Sequence, residues 1–320
     1  MKTDSMKRIL SSILAISLCL SLGAQEKIRL MPAWTPQAQF AGYYVAKDMG
    51  FYAEQGLDVD IQHIGVNSSK SGVSRIAEGE VDLIISNPIQ ALLARENGTG
   101  LVNVLQVNQS TGMMIVSHNP ISGPQDLNGL KVGRWKSGFT EICLMWGKAN
   151  DLHVEWIPFL NGINAFISGA LDATVVMSYN EYYQLVEAMG EIPEENCIHF
   201  SDCGYDIPED GVYATEEYVA SHREAVDKFC EATKKGWDWC LEHREEAVDI
   251  VLAHMKECKL RSSRYHQTLM LDGILDLLYD KNLGMVSYEQ ISPDLFRHLV
   301  RELTQMGILS GEVSYGEFFK

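Results

Sequence analysis

Trp34-Thr-Pro-Gln-Ala-Gln-Phe-Ala-Gly-Tyr-Tyr-Val-Ala-Lys47 lies between two short segments that have the character of β-strands. The segment before it, Ile28–Met31, is mostly apolar. The segment after it, Leu57–Ile61, alternates apolar and acidic residues with the period of two that is typical of a half-buried strand. Between them, Phe40–Met49 has the spacing of an amphipathic helix and ends at a glycine. A strand, a helix and a second strand in this order predict a mostly parallel sheet with a helix on its face.

The same alternation of short strands and helices continues along most of the chain. It extends to Val107, and a second series begins at Met113 and continues to about Tyr213. From Glu216 onward the strand pattern nearly disappears, and long helical segments replace it. These predicted helices are Ala220–Glu242, Glu245–Met255, Ser263–Asp280 and Pro293–Met306. The pattern predicts an α/β protein of two lobes with a helical C-terminal tail.

The order of these units indicates a chain that passes from one lobe to the other and then returns. The two crossings fall near Val107–Gly112 and near Gly204–Val212. We therefore predict one lobe made of residues 25–110 plus 212–320 and another made of residues 113–211. Glycines in both crossings can absorb the dihedral changes of a hinge, so that ligand binding between the lobes is expected to draw them together.

The first 24 residues have the layout of a secretory signal peptide. Lys2, Lys7 and Arg8 give a basic start, and the stretch from Ile9 to Leu22 is largely apolar and ends close to the small residue Ala24. This apolar stretch is too short to span a bilayer, which requires about 20 residues. We therefore predict that residues 1–24 are cleaved and that the mature protein is exported to the periplasm.

Charge restricts the kinds of partner that the chain can have. Its formal net charge is −17, with 43 acidic residues against 26 lysines and arginines. This balance argues against nucleic acid or an anionic lipid surface as a partner, because both are polyanions. It does not restrict a small ligand, whose site can differ in charge from the whole protein.

The cysteines do not form a metal-binding pattern. Cys19 follows Leu18 rather than a small residue, so lipidation is not expected. The six cysteines of the mature chain contain no C-x-x-C pair, which argues against zinc. Cys197 and Cys203 flank a short loop of an exported chain, where either a disulfide or two buried thiols would be reasonable.

Several motifs together carry a family resemblance. They are the segment Trp34–Lys47 with the following Gly50-Phe-Tyr and Glu54-Gln-Gly-Leu-Asp-Val59, Gly79-Glu-Val-Asp82, Leu127-Asn-Gly-Leu-Lys-Val-Gly133, Gly169-Ala-Leu-Asp-Ala173, and Phe229-x-x-Ala-x-x-x-Gly-Trp237. Over roughly Ile28 to Val251 the chain resembles the solute-binding proteins of the thiamine-pyrimidine family. That family includes bacterial formylaminopyrimidine-binding proteins and fungal hydroxymethylpyrimidine phosphate synthases, and binders of nitrate, sulfonates and taurine share its fold.

The resemblance implies both an architecture and a role. It implies the two-lobed type II fold of periplasmic binding proteins, with two hinge crossings and the ligand in the cleft between the lobes. The expected ligand is a small heteroaromatic molecule, a thiamine-pyrimidine precursor, delivered to the permease of an ABC importer. We expect a monomer that has no cofactor and no catalytic residues.

The first lobe offers four candidate ligand contacts beyond the carboxyl ends of its strands, where ligands of open α/β sheets lie. Trp34 follows the first strand in a proline-containing loop, and its indole can stack on a flat ring. Gln39, near the next helix, can hydrogen-bond ring nitrogens. Ser86 and Asn87 end the third strand at a helix N-terminus, where N–H groups suit carbonyl or anionic atoms, although Asn87 suits a helix cap equally well.

The second lobe offers five further candidates. Trp135 and Ser137 follow a strand, where the indole can provide a second stacking face. Tyr179, Asn180 and Glu181 follow the strand that ends at residue 177. The family carries an acidic residue near this point, and a carboxylate can accept from the amine of an aminopyrimidine. A glutamate in this place also suits the first turn of a helix, where the dipole favours negative charge.

Three alternatives to a pyrimidine-importing role stay open at this point. A synthase-like enzyme is disfavoured because Ser86 and Asn87 stand where the fungal proteins place a histidine, and because no cysteine run appears near Cys203. The signal peptide also separates the chain from cytoplasmic pyridoxal phosphate. A secreted receptor module for a membrane sensor would have much the same surface. A sulfonate or nitrate binder would favour cations rather than a carboxylate in the cleft.

The position of signal-peptide cleavage is directly testable. We expect the secreted protein to begin close to Gln25, because the small-residue exit at Ala24 follows the apolar stretch. N-terminal sequencing of protein from a periplasmic extract measures this. A mature chain that retains Met1, or that begins at an acylated Cys19, would contradict the prediction.

Overall fold

The computed structural model describes residues 25–64, 70–136, 138–159 and 163–320. The predicted signal peptide and the candidate site residue Ser137 lie outside these ranges. The strands are β1 Glu26–Met31, β2 Leu57–Ile61, β3 Leu83–Ser86, β4 Leu101–Gln106, β5 Met113–Ser117, β6 Lys131–Trp135, β7 Glu155–Phe159, β8 Ala173–Met177, β9 Cys197–His199, β10 Gly211–Thr215, β11 Tyr279–Asp280 and β12 Met285–Val286.

Ten of these strands form two five-stranded sheets, in the orders β2-β1-β3-β10-β4 and β7-β6-β8-β5-β9. In the first sheet β1 runs parallel to β2, with Ile28 opposite Val59. In the second sheet β5 and β8 are antiparallel, and every residue of both strands is buried, as the short apolar runs of the sequence predict. The predicted α/β fold with two such units is confirmed.

The chain passes between the two sheets twice. It leaves the first sheet after β4 and enters the second at β5, and it returns from β9 to β10. Strand β10 then inserts antiparallel between β3 and β4, so that a late segment lies in the middle of the first sheet. The irregular register at Val212 and Tyr213 lies close to this return.

The helices cover the sheets and form most of the C-terminal part. Their bounds are α1 Ala41–Asp48, α2 Phe51–Glu54, α3 Gly72–Ala77, α4 Pro88–Glu96, α5 Thr140–Ala149, α6 Asn164–Ile167, α7 Glu181–Met189, α8 Glu216–Ser221, α9 Arg223–Glu242, α10 Arg244–Glu257, α11 Arg264–Leu277, α12 Pro293–Gln305 and α13 Tyr315–Phe318. Among the described residues, no helix combines the length and the apolar character that a membrane crossing requires.

Two details of the C-terminal part differ from the sequence prediction. The helix predicted over Ala220–Glu242 is two helices, α8 and α9, separated at His222. Thr215 caps α8 by accepting from the N–H of Tyr218, which makes the first helix begin earlier than its apolar pattern indicates. A short hairpin of β11 and β12 also follows α11, and two-residue strands are too short to produce a readable periodicity.

The division into lobes of residues 25–110 plus 212–320 and of 113–211 stays a prediction. The C-terminal helices contact elements on both sides of it. The Lys148 ammonium of α5 donates to the Gln305 carbonyl at 3.2 Å, and the His298 ring of α12 lies 5.9 Å from that of Tyr205. The described cysteines, including Cys197 and Cys203, are free thiols in this structure.

A pair of glycines sets the distance between α1 and α9. A Cβ atom added to Gly236 would lie 2.1 Å from the carbonyl oxygen of Gly42, and one added to Gly42 would lie 2.2 Å from the indole of Trp237. Neither helix can carry a side chain at this crossing without moving away from the other. The motif residues Gly42, Gly236 and Trp237 are therefore parts of one packing contact.

This contact leads to a stability prediction for Gly236→Ala. We expect the free energy of unfolding to fall by about 1–3 kcal/mol or more, because the new methyl group overlaps a main-chain carbonyl. Urea unfolding followed by circular dichroism measures the change. Gly316→Ala is a matched control, because Gly316 also lies in a helix but has no atom within 4 Å of an added Cβ. Equal losses in the two variants would contradict the packing argument.

Candidate functional site

The two crossings between the sheets run side by side and are hydrogen-bonded to each other. The N–H groups of Val107 and Asn108 both donate to the carbonyl of Asp210, at 3.1 and 3.2 Å. The side chain of Asp206 accepts from the Ser110 hydroxyl at 2.6 Å and from the Thr111 N–H at 2.8 Å. The crossings therefore form a single junction, which is held by main-chain bonds to Asp210 and by the side chain of Asp206, both in the returning segment.

Glu209 is the central side chain of this junction and is completely buried. Its Oε1 accepts from the Thr111 hydroxyl at 2.8 Å and from the Gly112 N–H at 2.7 Å. Its Oε2 accepts from the Tyr179 hydroxyl at 2.8 Å. Burial raises the pKa of the Glu209 carboxyl to about 7, against the opposing effect of its hydrogen bonds to Thr111 and Tyr179. One carboxyl group thus joins both crossings to the end of β8.

Asp210 connects the junction to the loop after β1. Its Oδ2 accepts from the Gln39 amide at 2.8 Å, and Gln39 in turn accepts from the Gln37 amide at 2.6 Å. Burial, together with the neighbouring charge of Glu209, raises the pKa of the Asp210 carboxyl to about 7. These two bonds determine the orientation of the Gln39 side-chain amide, because its nitrogen faces Asp210 and its oxygen faces Gln37.

The segment after β8 brings a third carboxyl group to the same region. Glu181 accepts from the Met177 N–H at 3.1 Å and from the Asn180 amide at 3.0 Å. The Asn180 oxygen accepts from the His266 ring at 3.1 Å, so α11 contacts this segment directly. Burial raises the pKa of the Glu181 carboxyl, against its bonds to Met177 and Asn180.

Helix α11 approaches this segment closely at a second point. A Cβ atom on Gly273 would lie 2.7 Å from the Cβ of Tyr179, so only glycine allows the observed separation. Gln267 of the same helix accepts from the Ala38 N–H at 2.7 Å. This helix therefore contacts both the loop after β1 and the residues that follow β8.

Two side chains at the start of α4, those of Asn87 and Gln90, bond residues that follow β6 of the second sheet. The Asn87 side chain caps α4 by accepting from the Gln90 N–H at 3.0 Å, and its amide donates to the Gly138 carbonyl at 2.9 Å. The Gln90 amide donates to Glu141 at 3.2 Å. Ser86, the last residue of β3, lies opposite Gly211 in the sheet register. The cap predicted for Asn87 is confirmed, and the side chain also bonds Gly138, beyond the end of β6 in the second sheet.

The two candidate tryptophans have different surroundings. Trp34 is 45% exposed, and its main-chain carbonyl accepts from the His63 ring at 2.7 Å. Trp135 is half-buried, and its ring meets those of Phe139 and Phe159 edge-on at 5.9 and 5.8 Å. Packing holds the indole of Trp135, whereas the indole of Trp34 keeps a free surface.

The structure thus brings some of the predicted residues together through residues that the sequence did not single out. Tyr179 bonds the carboxyl group of Glu209, and Gln39, from the other unit, bonds that of the adjacent Asp210. These two acids lie inside the predicted second crossing, immediately before Gly211. An acidic pair next to a hinge glycine is a signal that could have identified them. Gln37 and Thr111, which complete the network, carry no comparable signal.

Comparison with known proteins assigns the chain to a family. A family profile described as NMT1/THI5 like matches residues 37–247, which is most of the chain. The chain belongs to the NMT1/THI5-like family. Its similarity to the formylaminopyrimidine-binding protein of Halalkalibacterium halodurans is 28% identity over 80% of this chain and 81% of that protein. It is also 22% identical to the 4-amino-5-hydroxymethyl-2-methylpyrimidine phosphate synthase of Candida albicans, over 69% of each chain.

Solved structures agree on the architecture of this family member. The periplasmic aliphatic sulphonate binding protein SsuA of Escherichia coli superposes with a TM-score of 0.68 at 14% identity, over 92% of this chain and 97% of that one. The protein therefore has the fold of periplasmic binding proteins, as the resemblance of its motifs implied. The described residues contain no group of three or more side chains arranged to hold a metal ion.

The buried acids lead to a prediction about pH. Because the carboxyl groups of Glu209 and Asp210 stay protonated to about pH 7 in the folded state, that state binds more protons than the unfolded chain between about pH 4 and 7. The free energy of unfolding should therefore fall as pH rises through this window, by up to about 1.4 kcal/mol per pH unit for each group.

In Glu209→Gln, the free energy of unfolding should depend less on pH, because one of the two titrating carboxyl groups is removed. The amide keeps an acceptor for Thr111 and Gly112 but does not ionise. Chemical unfolding at several pH values between 4 and 8 measures the slope. Glu217→Gln, at an exposed position in the first turn of α8, is the control and should leave the slope unchanged. An unaltered slope in Glu209→Gln would contradict the predicted titration.

Proposed function

We propose that this protein is a periplasmic solute-binding protein that captures an aminopyrimidine precursor of thiamine and delivers it to an ABC importer. The observation that carries the proposal is the partly buried carboxyl of Glu181 near the two buried carboxyls of Glu209 and Asp210, at the junction of the two sheets. The similarity to a formylaminopyrimidine-binding protein supports the same ligand class.

The chemistry of these carboxyls suits an aminopyrimidine. The ring presents an amine donor next to a nitrogen acceptor. A carboxylate can accept from the amine, and a carboxyl whose pKa is raised by burial, as that of Glu181 is, can also donate to the ring nitrogen. Glu181 is the candidate for direct contact, because it is only partly buried and each of its oxygens has a further lone pair.

The same region disfavours an anionic ligand. A sulfonate or nitrate that contacted Glu181 would meet a carboxylate whenever this group is ionised, and like charges repel strongly where water is excluded. The likeness to the sulphonate binder concerns the fold and does not transfer its ligand. Trp34, with its free indole surface, supports a flat ring instead.

A binding role fits the residues at the end of β3 better than a synthase role does. The family resemblance implies a histidine in the fungal synthases at the place of Ser86 and Asn87, and here the Asn87 side chain is occupied with capping α4 and bonding Gly138. Neither residue can supply an imidazole. Formation of hydroxymethylpyrimidine phosphate when the protein is incubated with pyridoxal phosphate would overturn this choice.

Isothermal titration calorimetry tests the ligand class. We expect formylaminopyrimidine or hydroxymethylpyrimidine to bind and taurine and nitrate not to bind. Trp34→Ala should weaken pyrimidine binding by about 1–3 kcal/mol through lost burial and stacking. Glu181→Gln should weaken it by about 1–2 kcal/mol, because a charged acceptor becomes a neutral one.

Two control variants distinguish the loss of a ligand contact from a general loss of folded structure. Trp239→Ala removes an indole from α9 that stacks on His243, and Glu217→Gln removes an exposed first-turn glutamate from α8. Both should bind pyrimidine like the unaltered protein. Binding of the anions alone, or stronger pyrimidine binding by Glu181→Gln, would show that the aminopyrimidine assignment is wrong.

A further inference from the structure

We propose that His63 is a positioning residue that holds the loop carrying Trp34, so that the indole is presented to the ligand in one orientation. The inference extends the proposed function, because it depends on Trp34 being a ligand contact. His63 itself follows β2, and its ring bonds the loop at the main-chain carbonyl of Trp34.

The hydrogen bonds of His63 determine its tautomer. Its Nδ1 lies 2.7 Å from the main-chain carbonyl oxygen of Trp34, and a carbonyl only accepts, so Nδ1 carries a proton. Burial lowers the pKa of His63 to about 4, although the bond to Trp34 opposes this effect. The ring is therefore neutral near pH 7, and Nε2 accepts from the Tyr44 hydroxyl at 2.9 Å.

Tyr44 is itself held in place by two helices. Its side chain is fully buried in α1, and its ring stacks on that of His254 in α10, with centroids 4.4 Å apart and planes 15° apart. The Nε2 of His254 lies 3.1 Å from the carboxylate of Asp48 at the end of α1. The Trp34 carbonyl is thus connected, through His63 and Tyr44, to the rigid packing of α1 against α10.

Trp34 depends on such an anchor more than Trp135 does. In the described part of the chain, the indole of Trp34 has no ring–ring contact, whereas Trp135 packs against Phe139 and Phe159. A side chain that is 45% exposed and has no ring–ring contact among the described residues loses freedom when it stacks on a ligand, in its main chain as well as in its rotamers. Fixing its main chain beforehand removes the main-chain part of that cost.

The test combines hydrogen exchange without ligand and calorimetry with formylaminopyrimidine. In His63→Ala we expect the amides of residues 33–37 to exchange about tenfold faster and the affinity to fall by about tenfold, as for the loss of one well-placed hydrogen bond. His63→Asn can place an amide N–H where Nδ1–H stands, and it should restore both quantities to within about threefold.

His118→Ala is the matched control. His118 is an exposed histidine whose ring also bonds a main-chain carbonyl, that of Phe166 at 2.9 Å, and it follows β5 at the far end from the crossings. Its replacement should remove one such hydrogen bond without changing exchange at residues 33–37 or affinity. A merely structural role for His63 would produce the same pattern in His63→Ala.

The outcomes distinguish this proposal from the proposed function. Unchanged exchange at residues 33–37 in His63→Ala overturns the positioning role, whatever the ligand. Faster exchange with unchanged affinity overturns it as well, because the loop then moves without consequence for binding. Faster exchange in a protein whose unaltered form binds no aminopyrimidine supports the anchor and shows instead that the proposed ligand is wrong.

Discussion

The carboxyl group of Glu209 is the interaction on which the arrangement of the two sheets depends. It accepts from Thr111 and Gly112 on the outgoing crossing and from Tyr179 beyond the end of β8, while belonging itself to the returning crossing. Removing a carboxyl from water is costly unless its oxygens are bonded. Here three donors offset that cost, so the crossings and the end of β8 are constrained to meet at one point.

The same junction places two acidic side chains next to each other in a buried position. Asp210 follows Glu209 directly, and both are buried, so two ionised forms side by side would repel in a medium of low dielectric. Burial therefore raises the pKa of both carboxyls to about 7, so that the protonated form is favoured below neutral pH.

Sequence periodicity was sufficient to predict the strands and helices of both sheets and the two crossings between them. Each buried run could be recognised by its length and by the glycine or helix cap that flanks it. The candidate residues Gln39 and Tyr179 were predicted from their places near a helix start and after a strand, and their contact with a ligand stays a prediction. Glu209 and Asp210 were missed, because acidic residues in a predicted loop normally indicate solvent exposure. What buries them is long-range: β10 inserts between β3 and β4, an order that local patterns do not encode.

Helix α1 connects the packing of the fold with the geometry of the site. Gln39, which bonds Asp210, lies just before the helix, Gly42 in its first turn is fixed against Gly236 and Trp237, and Tyr44 supports His63. A shift of α1 relative to α9 would therefore move Gln39 away from the acidic junction and would also move the anchor of the Trp34 loop. The glycine contact between α1 and α9 therefore sets the positions of both.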